Sequence, residues 1–324
     1  MTSRCRYFCR RLLQMRRYYY PTIQHLPKVA FGRTAVPCTL GFSLFTWLGF
    51  NKKLSAEDEL IKTIKHCVLF TQRGEYEKAE QLLHIALRQA QQMRNEAGVT
   101  YIYDVMANLA LEREQLDKAK QLFVAVTQRI MAEGAKEDDP RVIHISAKLA
   151  RISHLKKEYS TAKLGYDWCL SKLKNLPSEA LNEMEKLIAL TEDWYGRLLV
   201  DYENSNKGLD LMVSSLIRME KLEDVEKEHI VIQMNDIATV CDHLEKYDEG
   251  ISYLLQAIEI GKQLPDMDEL GAVYVNLGRL YMKKMLLDKA RKSCGAGWKL
   301  GVTAKNDDVK REAELCFKEI KNLS

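Results

Sequence analysis

Apolar residues recur every three to four positions along most of this chain, and the same stripe returns at a longer interval. The template is RGEYEKAEQLLHIALRQA (73–90), with near-copies at REQLDKAKQLFVAV, KKEYSTAKLGYDWCL, LEKYDEGISYLLQAI and KMLLDKARKSCGAGW. Residues three and four apart share one side of a helix, so each copy predicts an amphipathic helix. Each copy opens on a large residue followed three positions later by a small one: Tyr76 and Ala79, Leu116 and Ala119, Tyr159 and Ala162, Tyr247 and Gly250, Leu287 and Ala290. ENSNKGLDLMVSSL is a weaker copy, with Ser205 and Gly208 at these places. The large positions are spaced 40, 43, 46, 42 and 40 residues apart. Looser packing is expected around the fourth copy, where Ser205 replaces a ring worth roughly 3–5 kcal/mol at a well-packed site.

Each copy is preceded by a second apolar stripe, and punctuation separates the two. Ser55 with Asp58 marks a helix start, Gly74 a turn, and Asp139 before Pro140 a capped start; Pro177 and Pro265 mark further breaks. A helix–turn–helix unit with a large-then-small pair resembles the tetratricopeptide repeat, in which the small residue lets two helices approach closely. VYVNLGRLYMKKMLLDKA places Tyr274, Leu277, Gly278, Tyr281, Leu287 and Ala290 in that register. The long period and the acidic-Pro connector in AEGAKEDDPRV (132–142) are similar to the kinesin light chain type of repeat. The fold expected is all-α: a right-handed tetratricopeptide-repeat solenoid of about six helix pairs over 57–302, closed by a capping helix within 303–324. A cap is needed because the last unit of a stack would otherwise expose its apolar side.

Charge changes the picture at the front of the chain. Net charge is +4, but residues 1–56 hold seven Arg, three Lys and no acid, which leaves 39 bases against 45 acids in the remainder. An acidic body is a poor phosphate binder, so no nucleic acid is expected as partner. The basic, acid-free start reads as a mitochondrial transit segment over 1–33, with a basic nucleic-acid tail as the alternative. Residues 34–51 are uncharged and most apolar in LGFSLFTWLGF. Eighteen helical residues reach about 27 Å, a marginal single membrane span, with removal or interfacial lying as the alternatives. Lys52 and Lys53 follow at once and favour the matrix side for what comes after.

Eight Cys are scattered without a CxxC pair, several at interior-facing positions, which predicts buried thiols in a reducing compartment. No motif for phosphate binding, acyl transfer, zinc hydrolysis or calcium binding occurs, so no catalytic residue, cofactor or small-molecule substrate is expected. His66-Cys67 and Cys241-x-His243 offer two metal ligands apiece, short of a closed site. Trp168, Trp194 and Trp298 read as filler within and between repeats.

A repeat stack offers a concave face lined by its first helices. Counting back from the large residues puts Asp104, Asn108, Arg151, Asp193, Arg197, Asn235 and Arg279 there, with Ile64, Val68, Ala147, Thr239 and Val275. Amides and cations in such a row suit an extended peptide. The other reading is a solvated face with Asp–Arg pairs worth under about 1 kcal/mol each.

With its basic leader, short apolar segment, GEYEKAEQLL, VMANLALEREQLDKAKQLF and YVNLGRLYM, the chain resembles the mitochondrial tetratricopeptide repeat protein 19 family over 57–324. That resemblance implies a non-enzymatic protein of the mitochondrial inner membrane with its repeats facing the matrix. It implies respiratory complex III subunits and the Rieske iron–sulfur protein as partners, and a role in assembly and upkeep of that complex, including clearance of Rieske fragments. The alternative is a cytosolic peptide-binding cargo adaptor of kinesin light chain type, though no heptad coiled coil precedes the repeats.

Overall fold

The computed structural model describes residues 55–175, 178–265 and 267–323, without the side chains of 178–183. The expected transit segment (1–33) and apolar segment (34–51), with Lys52, Lys53 and Pro177, lie outside the described residues. Thirteen helices and no strand occur among the described residues: α1 Ala56–Gln72, α2 Tyr76–Gln92, α3 Glu96–Glu112, α4 Leu116–Ala132, α5 Pro140–Leu155, α6 Tyr159–Lys174, α7 Ser178–Tyr202, α8 Ser205–Glu220, α9 Lys227–His243, α10 Tyr247–Gly261, α11 Leu270–Lys283, α12 Leu287–Thr303 and α13 Asp307–Leu323. None of them is long and apolar enough to cross a membrane. The chain divides into two compact units at Glu137 and Asp138.

The first unit contains α1–α4, each helix packed on the next. Its start is the expected capping box: Ser55 Oγ accepts from the Asp58 N–H at 3.0 Å, and Asp58 accepts from the Ser55 N–H at 3.2 Å. Asn95 caps α3 by accepting from the Gly98 N–H at 2.8 Å. The core gathers Leu60, Ile64 and Cys67 from α1, Ala79, Leu83 and Ala86 from α2, and Val99, Ile102 and Met106 from α3.

The second unit holds α5–α13, again packed in sequence, with α5 also touching α7, α9 touching α11, and α11 touching α13. Asp139 caps α5 ahead of Pro140, accepting from the Arg141 N–H at 2.8 Å. At the other end, Val309, Ala313, Cys316 and Ile320 turn the apolar side of α13 inward, while Asp307, Arg311, Glu314 and Lys318 face out. That is the polar-backed cap expected.

The large-then-small register sets the packing of every pair. Ala79, Ala119, Ala162, Gly208, Gly250 and Ala290 are all buried, and four residues on Leu83, Phe123, Tyr166, Met212, Leu254 and Cys294 are fully buried. One turn of helix separates the two sites, so a minimal side chain brings the helices together and the next residue fills the space created.

Two expectations are corrected. The fourth copy is not loosely packed: a Cβ on Gly208 would lie 2.6 Å from the Gly196 carbonyl oxygen, so α7 and α8 meet backbone to backbone and need no ring at 205. Cys294 and Cys316 do not remain thiols but form a disulfide joining α12 to α13, whereas Cys67, Cys169 and Cys241 are free and buried. Of the two places expected for Trp298, core or between repeats, it takes the second, between the last helix pair and the cap. It lies 36% exposed on α12 and donates to Glu314 at 3.3 Å, while Trp194 is buried and Trp168 half-buried under the Lys172 ammonium.

Candidate functional site

In the second unit the first helices α5, α7, α9 and α11 carry polar residues at spacings that face the next first helix or the cap. These side chains form a ladder. Arg197 on α7 is its most connected rung. Its Nε donates to Asp193 one turn earlier at 2.9–3.0 Å, one terminal nitrogen donates to Asp236 on α9 at 2.8 Å, and the other donates to Gln233 at 2.9 Å. Gln233 donates in turn to Asp193 at 2.8 Å and to the Met212 carbonyl at 3.3 Å. Arg197 and Asp193 are almost wholly buried. Burial, the largest single influence, disfavours the guanidinium charge. Asp193 and Asp236 outweigh it and hold the Arg197 pKa above the ordinary arginine value.

On the side toward α5, His154 bridges two helices. Arg151 donates to His154 Nδ1 at 2.9 Å, which requires that nitrogen to be the acceptor, so Nε2–H donates to Asp201 on α7 at 2.9 Å. The buried imidazole is thereby held neutral in one tautomer. Burial chiefly lowers its pKa, Arg151 and Arg197 add to that, and Asp201 opposes it. Beside it Tyr166 stacks on Tyr195 at 5.6 Å, and Tyr195 donates to Asp167 at 2.7 Å. Toward the C-terminus, Asn276 on α11 donates to Asn235 on α9 at 2.8 Å, and Arg279 pairs with Glu312 on α13 at 2.5 Å.

Of the residues expected on a peptide groove, Arg151, Asp193, Arg197 and Asn235 are thus buried and bonded, and Ile64, Ala147 and Val275 are buried as well. Arg279 is half-buried. In the first unit Asp104 and Asn108 are half-buried, and Asn108 donates to the Asp104 carbonyl at 2.7 Å and to its carboxylate at 3.0 Å. Also in that unit, Glu80 lines a small pocket with Met106, Leu109 and Gln115 and pairs with Lys118 and Arg113. The Lys118 hydrogen bond, more than any other influence, lowers the Glu80 pKa.

The partners that sequence reading missed are His154, Asp201, Gln233, Asp236 and Glu312. Each bonds to a residue roughly one repeat away, at separations of 47, 39, 36 and 33 residues. Searching for complementary side chains one period apart would have found them. Chemically the ladder is chiefly a set of contacts between helices, with the Arg279 Nε and the Tyr166 hydroxyl buried without a hydrogen-bond partner among the described residues. Both nitrogens of its histidine are engaged. Among the described residues no three His, Cys, Asp or Glu side chains are placed to hold a metal ion.

No family model matches the chain. It is 37% identical over 273 residues to the Tetratricopeptide repeat protein 19 homolog, mitochondrial, of Drosophila melanogaster, covering 84% of this chain and 74% of that one. It is 32% identical over 248 residues to Tetratricopeptide repeat protein 19, mitochondrial, of Homo sapiens, covering 73% and 65%. Among solved structures, the apo form of RapI superposes with a TM-score of 0.61 over 82% of this chain and 77% of that one, at 13% identity, a likeness of fold. The repeat register, the helix pairs it builds and a 37% match across most of the sequence converge, and this chain belongs to the mitochondrial tetratricopeptide repeat protein 19 family.

Proposed function

We propose that this protein is a non-enzymatic binding factor of the mitochondrial inner membrane, supporting assembly and upkeep of respiratory complex III. In this reading its partners are complex III subunits and the Rieske iron–sulfur protein, whose processed fragments it helps to clear. The observation that carries the reading is the extent of the family match, 84% of the chain at 37% identity. The role attached to that match comes from the resemblance noted above. A cargo-adaptor role draws support only from a shared repeat fold, which hosts many unrelated functions.

The burial of the ladder divides the expected binding residues between two tasks. Asp193, Arg197 and Asn235 hold neighbouring helices in register, and Arg151 orients His154, which bridges α5 and α7. Asp104 and Asn108 in the first unit, and Arg279 in the second, keep exposed surface from which to contact a polypeptide. The leader would direct import, and the apolar segment would attach the chain to the inner membrane. Lys52 and Lys53 favour a matrix-facing body. The Cys294–Cys316 bond favours a second reading, a body in the more oxidising intermembrane space.

Proximity labelling from a C-terminal fusion of the full chain in respiring cells tests the role. Complex III subunits, with the Rieske protein among them, are expected to be enriched. Labelling spread evenly over unrelated mitochondrial proteins would overturn it.

A further inference from the structure

Charge is unevenly distributed along the folded body. Residues 57–282 hold 28 Lys and Arg against 39 Asp and Glu, whereas residues 283–324 hold 11 against 6. The second stretch supplies α12 and α13, and much of its charge is unspent. Arg291, Lys292, Lys299, Lys305, Lys310 and Lys318 form no ion pair among the described residues. Lys207, Lys221, Lys227, Lys246 and Lys262 elsewhere in the second unit form no ion pair either, so what sets α12 and α13 apart is their excess of base over acid.

These cations surround an apolar strip. On α12, Arg291, Gly295, Trp298 and Val302 follow one another at spacings of four, three and four, which places them along one line of the helix. On α13, Lys310, Glu314 and Phe317 do the same. The two lines adjoin: the Trp298 indole nitrogen lies 3.3 Å from Glu314, and a Cβ on Gly295 would lie 3.9 Å from the Phe317 ring. Trp298 and Val302 are exposed and Phe317 is half-exposed, while the disulfide fixes the two helices beneath them. Glu314 is the one acid in these two lines, and it holds the indole by its N–H edge.

We propose that the exposed face shared by α12 and α13 docks on an anionic lipid surface. An amphipathic ring set among long cationic side chains matches the boundary between headgroups and acyl chains. The cations are not held in fixed forks by neighbouring side chains, as selective recognition of a single protein carboxylate would favour. A field of anionic headgroups accepts such diffuse charge. The inference stands on α12 and α13 alone and does not depend on the complex III role.

The test uses the full chain on phosphatidylcholine vesicles carrying brominated acyl chains, with and without phosphatidylglycerol. Bromine quenches a nearby indole, so the difference between wild type and Trp298→Phe isolates Trp298 from the other tryptophans and from any contact made by the N-terminal segment. Excess quenching is expected on the phosphatidylglycerol vesicles only, and added salt should diminish it. Arg291→Gln, Lys299→Gln and Lys310→Gln combined should weaken docking about a hundredfold, each cation near a charged bilayer being worth about fivefold. Unchanged helical circular dichroism establishes that the triple variant is folded. Equal quenching on uncharged vesicles, no excess quenching, or docking unaltered by the triple substitution would overturn the proposal. So would hydrogen-exchange protection of α12 and α13 by a soluble polyglutamate peptide but not by vesicles, which assigns the face to an acidic protein.

Discussion

His154 shows at the level of one side chain how the ladder makes stability depend on pH. The imidazole accepts from Arg151, which cannot give up its proton, so a second proton on the ring would point at a guanidinium in a buried site. Unfolded, the same ring titrates near 6.5; folded, burial and then Arg151 and Arg197 outweigh Asp201 and lower that value. Below 6.5 the unfolded chain therefore binds more protons than the folded one. Stability is fully present above that pH and falls as the pH drops toward the folded value. His144, half-buried and shifted well down by desolvation and then by Lys148, acts in the same direction. Urea midpoints measured from neutral pH down to about 5 should fall for wild type and fall less steeply for His154→Gln, which keeps a neutral acceptor and donor. Parallel curves for the two proteins would remove His154 from this account. The polar types along this face were legible in the sequence, and Asp193 with Arg197 could be read as a pair four residues apart. Their burial was not, because it depends on how closely successive first helices approach, and no single repeat states that distance.

At the scale of helices, what the sequence disclosed well was register, and what it hid was backbone. The small positions from Ala79 to Ala290 were read correctly because burial of a small side chain recurs with the period. The turns between helices were harder. A Gly was expected there, and Gly74 and Gly134 serve, yet Arg94, Glu114, Lys157, Glu245, Met285 and Lys305 hold the same left-handed conformation without being glycine. Each closes its helix as a C-terminal cap, as where the Glu158 N–H reaches back to the Ser153 carbonyl at 2.8 Å just after Lys157. The fourth pair gave the clearest error, because absence of a ring at 205 suggested weakness where Gly196 and Gly208 provide contact. A matched pair of substitutions separates local propensity from packing. Gly295→Ala on α12 has its nearest neighbour at 3.9 Å and should stabilise by up to about 1 kcal/mol through helix propensity alone. Gly208→Ala gains the same propensity but pushes a methyl to 2.6 Å from a backbone oxygen, so it should destabilise by about 1–3 kcal/mol. Chemical denaturation of both variants reads the difference. A gain at both positions would mean that α7 and α8 separate at little cost, and the close approach would lose its role.

For the molecule as a whole, the two cysteines of α12 and α13 connect folding to cellular address. The bond joins cysteines 22 positions apart in the chain and ties the cap to the last helix pair. Restricting a loop of that length in the unfolded state is worth about 3 kcal/mol in the chain-entropy account. The apolar line Val309, Ala313 and Ile320 would still bury without it, so the reduced cap should remain folded but weaker. The bond also constrains location, since buried thiols persist in the reducing matrix while structural disulfides accumulate where oxidation is sustained. Lys52 and Lys53 argue for the first and Cys294–Cys316 for the second, so the redox state of this pair inside intact mitochondria distinguishes them. Mitochondria would be quenched in acid and denatured, and free thiols modified with a bulky maleimide before and after reduction. A body in the intermembrane space should gain two modified cysteines only after reduction, and Cys294→Ser with Cys316→Ser should abolish that gain and lower the denaturation midpoint. A body in the matrix should show all of its cysteines modified without reduction, which would leave the positive flank as the better guide to orientation.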